Sequence, residues 1–549
     1  MAGCPTVTDY QGDFDVHITL WGRGVDGVAG FAARHGLKYV DIRLERGERP
    51  RQEMVTFTGS GTLRQVEERA REWSAKAAAE NLHLDRVKIE AAPWNAGVPV
   101  TEAEAADDPP ERYFEHHVKL LLPDDSVSRL IALADLVTPH HAHLSHNARR
   151  HRDDGGHERF VTQRCHRVGQ ETARGRLAAL IETLRGTGHD ILEVEEEYVV
   201  VDSKLRLDDG WIHDPAETDA DGYTERHRAY EDQARTAPAG TPGYPATYRP
   251  VNAPGVTYRG VFDPALLHLS RAYRHGEPVF TDSATETAWR STRRALMKHL
   301  LGLIAASPWS ETVVLRGSVT LSAWLGNAAR EPGDLDFVVV PDTLLVEDAG
   351  FLDDLTALVR RDPGPGTVVG DVAVEEIWAY ERASGRRMVF PFRPEGLPEI
   401  AVQADFVFRE PLPVPPEPLE IPGVDRPMLA ATAPLSLAWK LLWLETDMHP
   451  QGKDLYDAVL LAEHTTAGPD LVRGVLAREL GDSAADFTPR SVLQWDVDWA
   501  NFVEEYPAVQ GDRRSWLRRL AVALDHGWRG DAGHLTGHGL SGVRETAGR

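Results

Sequence analysis

Cysteine is nearly missing from this chain: Cys4 and Cys165 are the only two in 549 residues. Two thiols cannot build a disulfide framework, so a small cross-linked secreted scaffold is excluded and a reducing compartment is expected. Long apolar runs are missing too. The best candidate, ALMKHLLGLIAAS, is interrupted by Lys298 and His299 and falls short of the about 20 apolar residues that span a bilayer. The first residues, MAGCPTVTDYQGDFD, have neither the basic nor the apolar region of a secretory signal. The expectation is a soluble, cytoplasmic protein with no membrane partner. Positive charge is the third scarcity. Lys and Arg number 60 against 85 Asp and Glu, a formal net charge of −25, which excludes coating nucleic acid by bulk electrostatics and leaves only local basic patches for such contacts.

What remains is ordinary globular composition, with 42% hydrophobic and 26% charged residues. The length is too great for one core, so two or three domains are expected. An internal repeat organises the first part. FDVHITL at 14–20 and FEHHVKL at 114–120 align at Phe14/Phe114, His17/His117 and Leu20/Leu120. Each opens a similar series. The first runs through a helix around 26–35, strands near 37–45 and 52–58, an amphipathic helix carrying Leu63, Val66, Ala70, Trp73 and Ala77, and the strand LDRVKIEA. The second runs through helix 126–137, strands near 142–149 and 159–165, helix 172–186 and the strand DILEVEEEYVVVD. Both read βαββαβ, so 1–205 is expected to be a duplicated ferredoxin-like domain. Residues 206–260, containing TAPAGTPGYPATYRPVNAPG, read as a linker or wrapping segment. Helices are expected around 263–273 and 284–306. The fold class is thus α+β and multidomain: a core at 261–430, helices over 431–529, and a disordered tail at 530–549.

The chemistry concentrates in LRGSVTLSAWLGNAAREPGDLDFVVV, 315–340. An apolar strand ends at Gly317, where a missing side chain lets backbone approach a phosphate. Ser318 opens a helix, whose free N–H groups and dipole favour an anion. The chain returns through Asp334-Leu335-Asp336, and side chains two apart on a strand share a face. Two carboxylates so placed repel unless a cation lies between them, which points to a divalent metal. A third acid, Asp405, stands on the apolar strand EIAVQADFVF at 399–408.

This pattern resembles the DNA polymerase β-like nucleotidyltransferase superfamily. It resembles more closely the AbiEii-type abortive-infection nucleotidyltransferases, toxin halves of some toxin–antitoxin pairs. The features that carry the likeness are Arg330 ahead of GDLDF, Lys440 in PLSLAWKLLWLETD, and KDLYDAVLL at 453–461 with Asp454. The likeness covers roughly 262–465. Ser318 stands where those toxins often have a second glycine, and the long N-terminal region is not part of their simple layout. The resemblance implies a polymerase β-like domain with C-terminal helices, an NTP as substrate and two Mg²⁺. Asp334, Asp336 and Asp405 would be catalytic and metal-holding. Gly317, Ser318, Arg330, Lys440 and Asp454 would serve the nucleotide. It implies transfer of NMP to an acceptor hydroxyl, with RNA, as in a tRNA 3′ end, the expected acceptor and an antitoxin or regulatory partner expected. Two alternatives stay open: nucleotidylation of a protein or small molecule, and a non-catalytic binding protein on an inactive scaffold.

The first half offers a weaker likeness to two-histidine phosphoesterases, through HIT at 17–19 and HLS at 143–145. Its symmetry is poor, because the repeat partner of His17 is His117 and not His143. The stretch PHHAHLSHNARRHRDDGGHERFVTQRCHR supplies arginines at 149, 150, 152, 159, 164 and 167. Its spacing fits no zinc pattern. In so acidic a chain it reads as a phosphate-backbone contact, with WRSTRRALMKH at 289–299 as a second basic patch.

Overall fold

A computed structural model describes residues 10–22, 26–47, 49–148, 156–212, 253–263, 273–348, 350–377 and 384–537. The chain divides into two compact units, Met1–Thr224 and Glu225–Arg549.

In the first unit the series is β1 (Gln11–Trp21), α1 (Gly27–His35), β2 (Lys38–Leu44), β3 (Arg51–Thr62), α2 (Leu63–Ala79) and β4 (His83–Ala91). After a short α3 (Glu102–Asp107), β5 (Tyr113–Leu122), α4 (Val127–Val137), β6 (Ala142–Asn147), β7 (His157–His166), α5 (Gln170–Gly186) and β8 (Asp190–Asp202) repeat that order. The local signals are plain. A capping box between Thr62 and Gln65 starts α2, and Gly36 at φ 66° ends α1.

The eight strands join into one closed antiparallel barrel, in the order β1-β3-β2-β6-β7-β5-β8-β4. Its two seams are β2 with β6, pairing Leu44 with Ser145, and β4 with β8, pairing Ile89 with Val201. Alternation then sorts the side chains. Phe14, Val16 and Ile18 of β1 pack with Phe31, Val66 and Ala70 of the helices. Val118, Leu120 and Leu122 of β5 pack with Leu130, Leu133 and Leu180. The residues of opposite parity, His17 on β1 and Glu115 and His117 on β5, therefore face the lumen, and Lys88 and Glu90 of β4 do so by the same rule.

The linker expected over 206–260 is shorter in the structure. Asp208 and Trp211 are buried in the first unit, Asp208 bound by Arg86 and Arg164 and the Trp211 indole donating to the Leu144 carbonyl. At the far end, Val256–Phe262 is already strand β9. The helix expected near 263–273 falls mostly outside the described residues.

The second unit continues with β10 (Tyr273–Phe280), α6 (Ser283–Ala306), β11 (Val313–Arg316), α7 (Ser318–Leu325), β12 (Leu335–Val339) and α8 (Phe351–Arg361). Strands β13 (Thr367–Val369), β14 (Ala373–Glu376), β15 (Gly385–Pro394), β16 (Ile400–Val407), β17 (Glu417–Leu419) and β18 (Met428–Ala430) follow. Helices α9 (Ala433–Thr446), α10 (Gly452–His464), α11 (Pro469–Leu480), α12 (Trp499–Glu505) and α13 (Arg513–Gly537) end the chain. Helix α13 runs past Gly530, so the tail expected to begin there is helical through Gly537.

A mixed sheet in the order β13-β15-β16-β12-β11-β18-β17, with β14 also on β15, forms the centre. One face is apolar. Leu335, Phe337, Phe390, Val402 and Phe406 pack with Leu300 and Ile304 of α6 and with Phe351 and Val359 of α8. Phe337 and Phe406 are register partners and stack at 5.0 Å. Burying those side chains on one face commits the alternate residues of the same strands to the other. That other face is where the carboxylates lie.

Candidate active site

Three neighbouring strands bring the acids together. On β12 Asp336 pairs antiparallel with Arg316 of β11 and parallel with Asp405 of β16. Asp334 lies just ahead of β12, two residues before Asp336 and so on the same face. One carboxylate oxygen from each of Asp334, Asp336 and Asp405 lies within 4.8 Å of the others. Burial, then the charges of Asp334 and Asp405, push the Asp336 carboxyl up to about 7. Burial also raises Asp405, against the pull of Arg387. The donors are all carboxylate oxygens, hard ligands of the kind Mg²⁺ takes, and they carry more negative charge than their surroundings neutralise. The set fits that metal.

Gly317 is explained by this cluster. Its φ is 78°, and a Cβ there would lie 2.3 Å from Asp336 Oδ2. The space that a side chain would take is occupied by the carboxylate itself. Ser318 then begins α7. It does not cap the helix, for Gly317 is the N-cap residue and no side-chain cap bond forms. Its Oγ is buried without a hydrogen-bond partner, and the residue is 3% exposed. A buried hydroxyl left unpaired in this way costs free energy, so a bound group that satisfies it is expected. Ser318→Ala should therefore leave the melting temperature nearly unchanged and raise the KM for NTP by about tenfold, a lost hydrogen bond to a charged group. A melting scan beside a kinetic titration checks this; a lower melting temperature with an unchanged KM would make Ser318 structural.

Sequence reasoning did not single out four neighbours. Arg387 of β15, register partner of Asp405, grips it through two bonds of 2.9 and 2.8 Å. Gln403 donates to Asp405 at 3.0 Å and reaches Asp334 at 3.5 Å. Arg316, 3% exposed, lies over the rings of Trp439 and Trp443. The fourth is Asp457. Arg330 binds it with bonds of 3.0–3.2 Å, and Lys440 of α9 bonds Asp454 at 2.6 Å and Asp457 at 3.1 Å. Asp454 and Asp457, three apart on α10, share one face of that helix. This network acts on the acids: the Lys440 charge favours ionised Asp336, and Asp334 favours charged Arg330.

The family model described as Nucleotidyl transferase AbiEii toxin, Type IV TA system, matches residues 299–525. That segment is similar to the AbiEii-type nucleotidyltransferases. Gly317, Ser318, Arg330, the three acids, Lys440 and Asp454 all lie inside the match, and the chain is an enzyme of the nucleotidyltransferase class. No curated protein matches the chain.

The basic patches fare differently. Arg149, Arg150 and Arg152 lie outside the described residues. Arg159 is buried, and the Arg164 side chain is 7% exposed and committed to Glu115 and Asp208. They are lumen or core cations, which corrects their reading as a phosphate-backbone surface. In the patch at 289–299, just ahead of the AbiEii strand, Arg290 and Arg293 pair with Glu277 and Arg294 with Glu331. Arg293 also donates to the Gly333 carbonyl at 2.8 Å. It thereby fastens the loop that enters Asp334. Among the described residues no helix is long and apolar enough to cross a membrane.

Proposed function

We propose that this enzyme transfers NMP from an NTP to an acceptor hydroxyl, with Mg²⁺ held by Asp334, Asp336 and Asp405. The observation that carries the reading is the convergence of those acids beside the buried, unpartnered Ser318 hydroxyl. The N–H groups at the start of α7 and the Ser318 hydroxyl receive the β- and γ-phosphates. Lys440 and Arg330 lend positive charge to the triphosphate, and Asp454 orients Lys440. Asp405, fixed by Arg387 and Gln403, takes the proton of the acceptor hydroxyl. Magnesium bound by the three carboxylates would offset negative charge gathering at the reacting phosphate.

RNA, with a tRNA 3′ end as the first candidate, is the proposed acceptor; a cytoplasmic toxin role with an antitoxin partner accompanies the Type IV TA description. The two βαββαβ series of the first unit are best read as one duplicated ferredoxin-like module. The test is incubation with each α-labelled NTP, Mg²⁺ and total RNA. Labelled RNA is the expected result. Label on protein or a small molecule would move the acceptor, and no label with any NTP would favour an inactive scaffold.

The raised Asp336 carboxyl adds a pH dependence. Between its ordinary value and about 7, the folded chain keeps a proton that the unfolded chain has lost. Stability of the metal-free protein from this group therefore falls as pH rises through that window and levels off above it. Metal and proton compete for the same oxygens, so metal affinity rises with pH over the same range. The gain in melting temperature from Mg²⁺ is expected to be larger at pH 8 than at pH 6. Equal gains would take Asp336 out of the metal set.

A further inference from the structure

The lumen of the N-terminal barrel holds a second cluster. Ion pairs connect it into one network: Asp202 to Arg86, Arg86 to Asp208, Asp208 to Arg164, Arg164 to Glu115, Glu115 to Lys88, and Lys88 to Glu90. His17 closes one end on Glu90 at 2.7 Å. His117 lies beside Glu115, within the network, and beside Glu197. The carboxylates are Asp202, Asp208, Glu115, Glu90 and Glu197; the permanent cations are Arg86, Arg164 and Lys88. Two negative charges are left over. Either protons balance them, on the histidines or on Glu197, or one divalent cation is bound.

The two histidines, which are partners in the internal repeat, favour the cation. His17 Nε2 is at true hydrogen-bond distance from Glu90 Oε2, 2.7 Å. His117 Nε2 is not: it stands 3.7 Å from Glu115 Oε2 and 3.6 Å from Glu197 Oε2. An imidazolium would close on one of those oxygens to ordinary hydrogen-bond distance. Ligands of a common metal behave otherwise, since metal–ligand bonds of about 2.1 Å in a tetrahedral site set the donors about 3.4 Å apart. The other ring nitrogen, Nδ1, is held by the Thr162 hydroxyl at 3.0 Å, which fixes Nε2 toward the two carboxylates. Glu197 Oε2 is itself buried with no donor bonded to it, and the side chain that Glu197 meets at hydrogen-bonding distance is another carboxylate, Glu90. One donor atom from each of Glu90, Glu115, His117 and Glu197 lies within 4.8 Å of the others.

We propose that Glu115, His117 and Glu197, closed by Glu90, hold one divalent first-row cation, Mn²⁺ or Zn²⁺, inside the barrel. An imidazole with carboxylates suits those metals, whereas the all-oxygen set of the AbiEii domain suits Mg²⁺. The site is independent of nucleotide transfer and of the acids that serve it.

The test uses the full chain carrying Asp334→Asn and Asp336→Asn, so that the AbiEii acids contribute little metal binding. Titration with Mn²⁺, read by the electron paramagnetic resonance of the free ion, and with Zn²⁺ against a chelating dye is expected to give one site per chain. Adding Glu197→Gln or His117→Ala should weaken that site by more than about a hundredfold, beyond the loss typical of groups that only orient a ligand. Absence of a site for either metal, or affinity unchanged in both variants, overturns the proposal in favour of bound protons. Should the variants fail to fold, crystals of the unaltered chain soaked in MnCl₂ supply the answer. An anomalous peak bonded to His117 Nε2 is expected, and its absence overturns the proposal equally.

Discussion

Asp336→Asn is expected to reduce nucleotide transfer at least about a thousandfold while the protein melts at a higher temperature without metal. The two effects share one cause. Asp336 is flanked by Asp334 and Asp405, and its carboxyl is pushed up to about 7, so its charge in the metal-free fold works against stability. A neutral amide of nearly the same shape removes that repulsion. It also removes a ligand from the centre of the set, and charge stabilisation by such a metal amounts to several kcal/mol, where each about 1.4 kcal/mol is tenfold in rate. A purely structural carboxylate would show the reverse pattern: lower stability and near-normal turnover. Steady-state transfer of α-labelled NTP and a metal-free melting scan, both at pH 8, check the prediction. Undiminished transfer would remove Asp336 from the chemistry and with it the proposed use of the acids.

How much of the site is legible in the sequence depends on whether each partner lies near along the chain. Asp334 and Asp336 are two apart on one strand, and period two alone places them on one face. Asp405 is readable as a lone acid in an apolar strand, and its parallel pairing with Asp336 gives it that place. Gly317 is marked for a close approach to a phosphate, and the group that lies against it in the structure is the Asp336 carboxylate. Arg387 leaves no local signal, because it meets Asp405 only through the pairing of β15 with β16. Asp457 does leave one: it sits three residues after Asp454 on the same helix. The repeat in the first half is visible in Phe14/Phe114 and His17/His117. The seams β2–β6 and β4–β8 that close the barrel are not, since they join strands far apart in the chain. Without closure, Arg159 and Arg164 read as surface charges; with it, Arg159 is buried and the Arg164 side chain is 7% exposed.

Asp457→Ala is expected to cost the AbiEii domain more stability than Ser318→Ala, Asp336→Asn or Lys440→Met. Asp457 is fully buried and receives both the Arg330 guanidinium and the Lys440 ammonium. Those two cations hold its carboxyl below the ordinary range; it holds the Arg330 guanidinium above, and Asp454 together with it holds the Lys440 ammonium above. Removing it leaves two cations in a poorly solvated place, Lys440 with Asp454 and Arg330 with the weaker support of Tyr506 and Asp334. Breaking a buried pair from one side costs about 3–5 kcal/mol, because the surviving charge is uncompensated. A fall in melting temperature of roughly 10 °C is the corresponding expectation. Lys440→Met separates structure from function. It removes one of the two cations and leaves Asp457 bound by Arg330, so it should cost less stability than Asp457→Ala. If Lys440 supports the triphosphate, the KM for NTP should rise even where the protein is fully folded. An Asp457→Ala protein that melts within a degree or two of the parent would mean that water compensates the two cations, and the network would then have no part in holding α9 and α10 to the site.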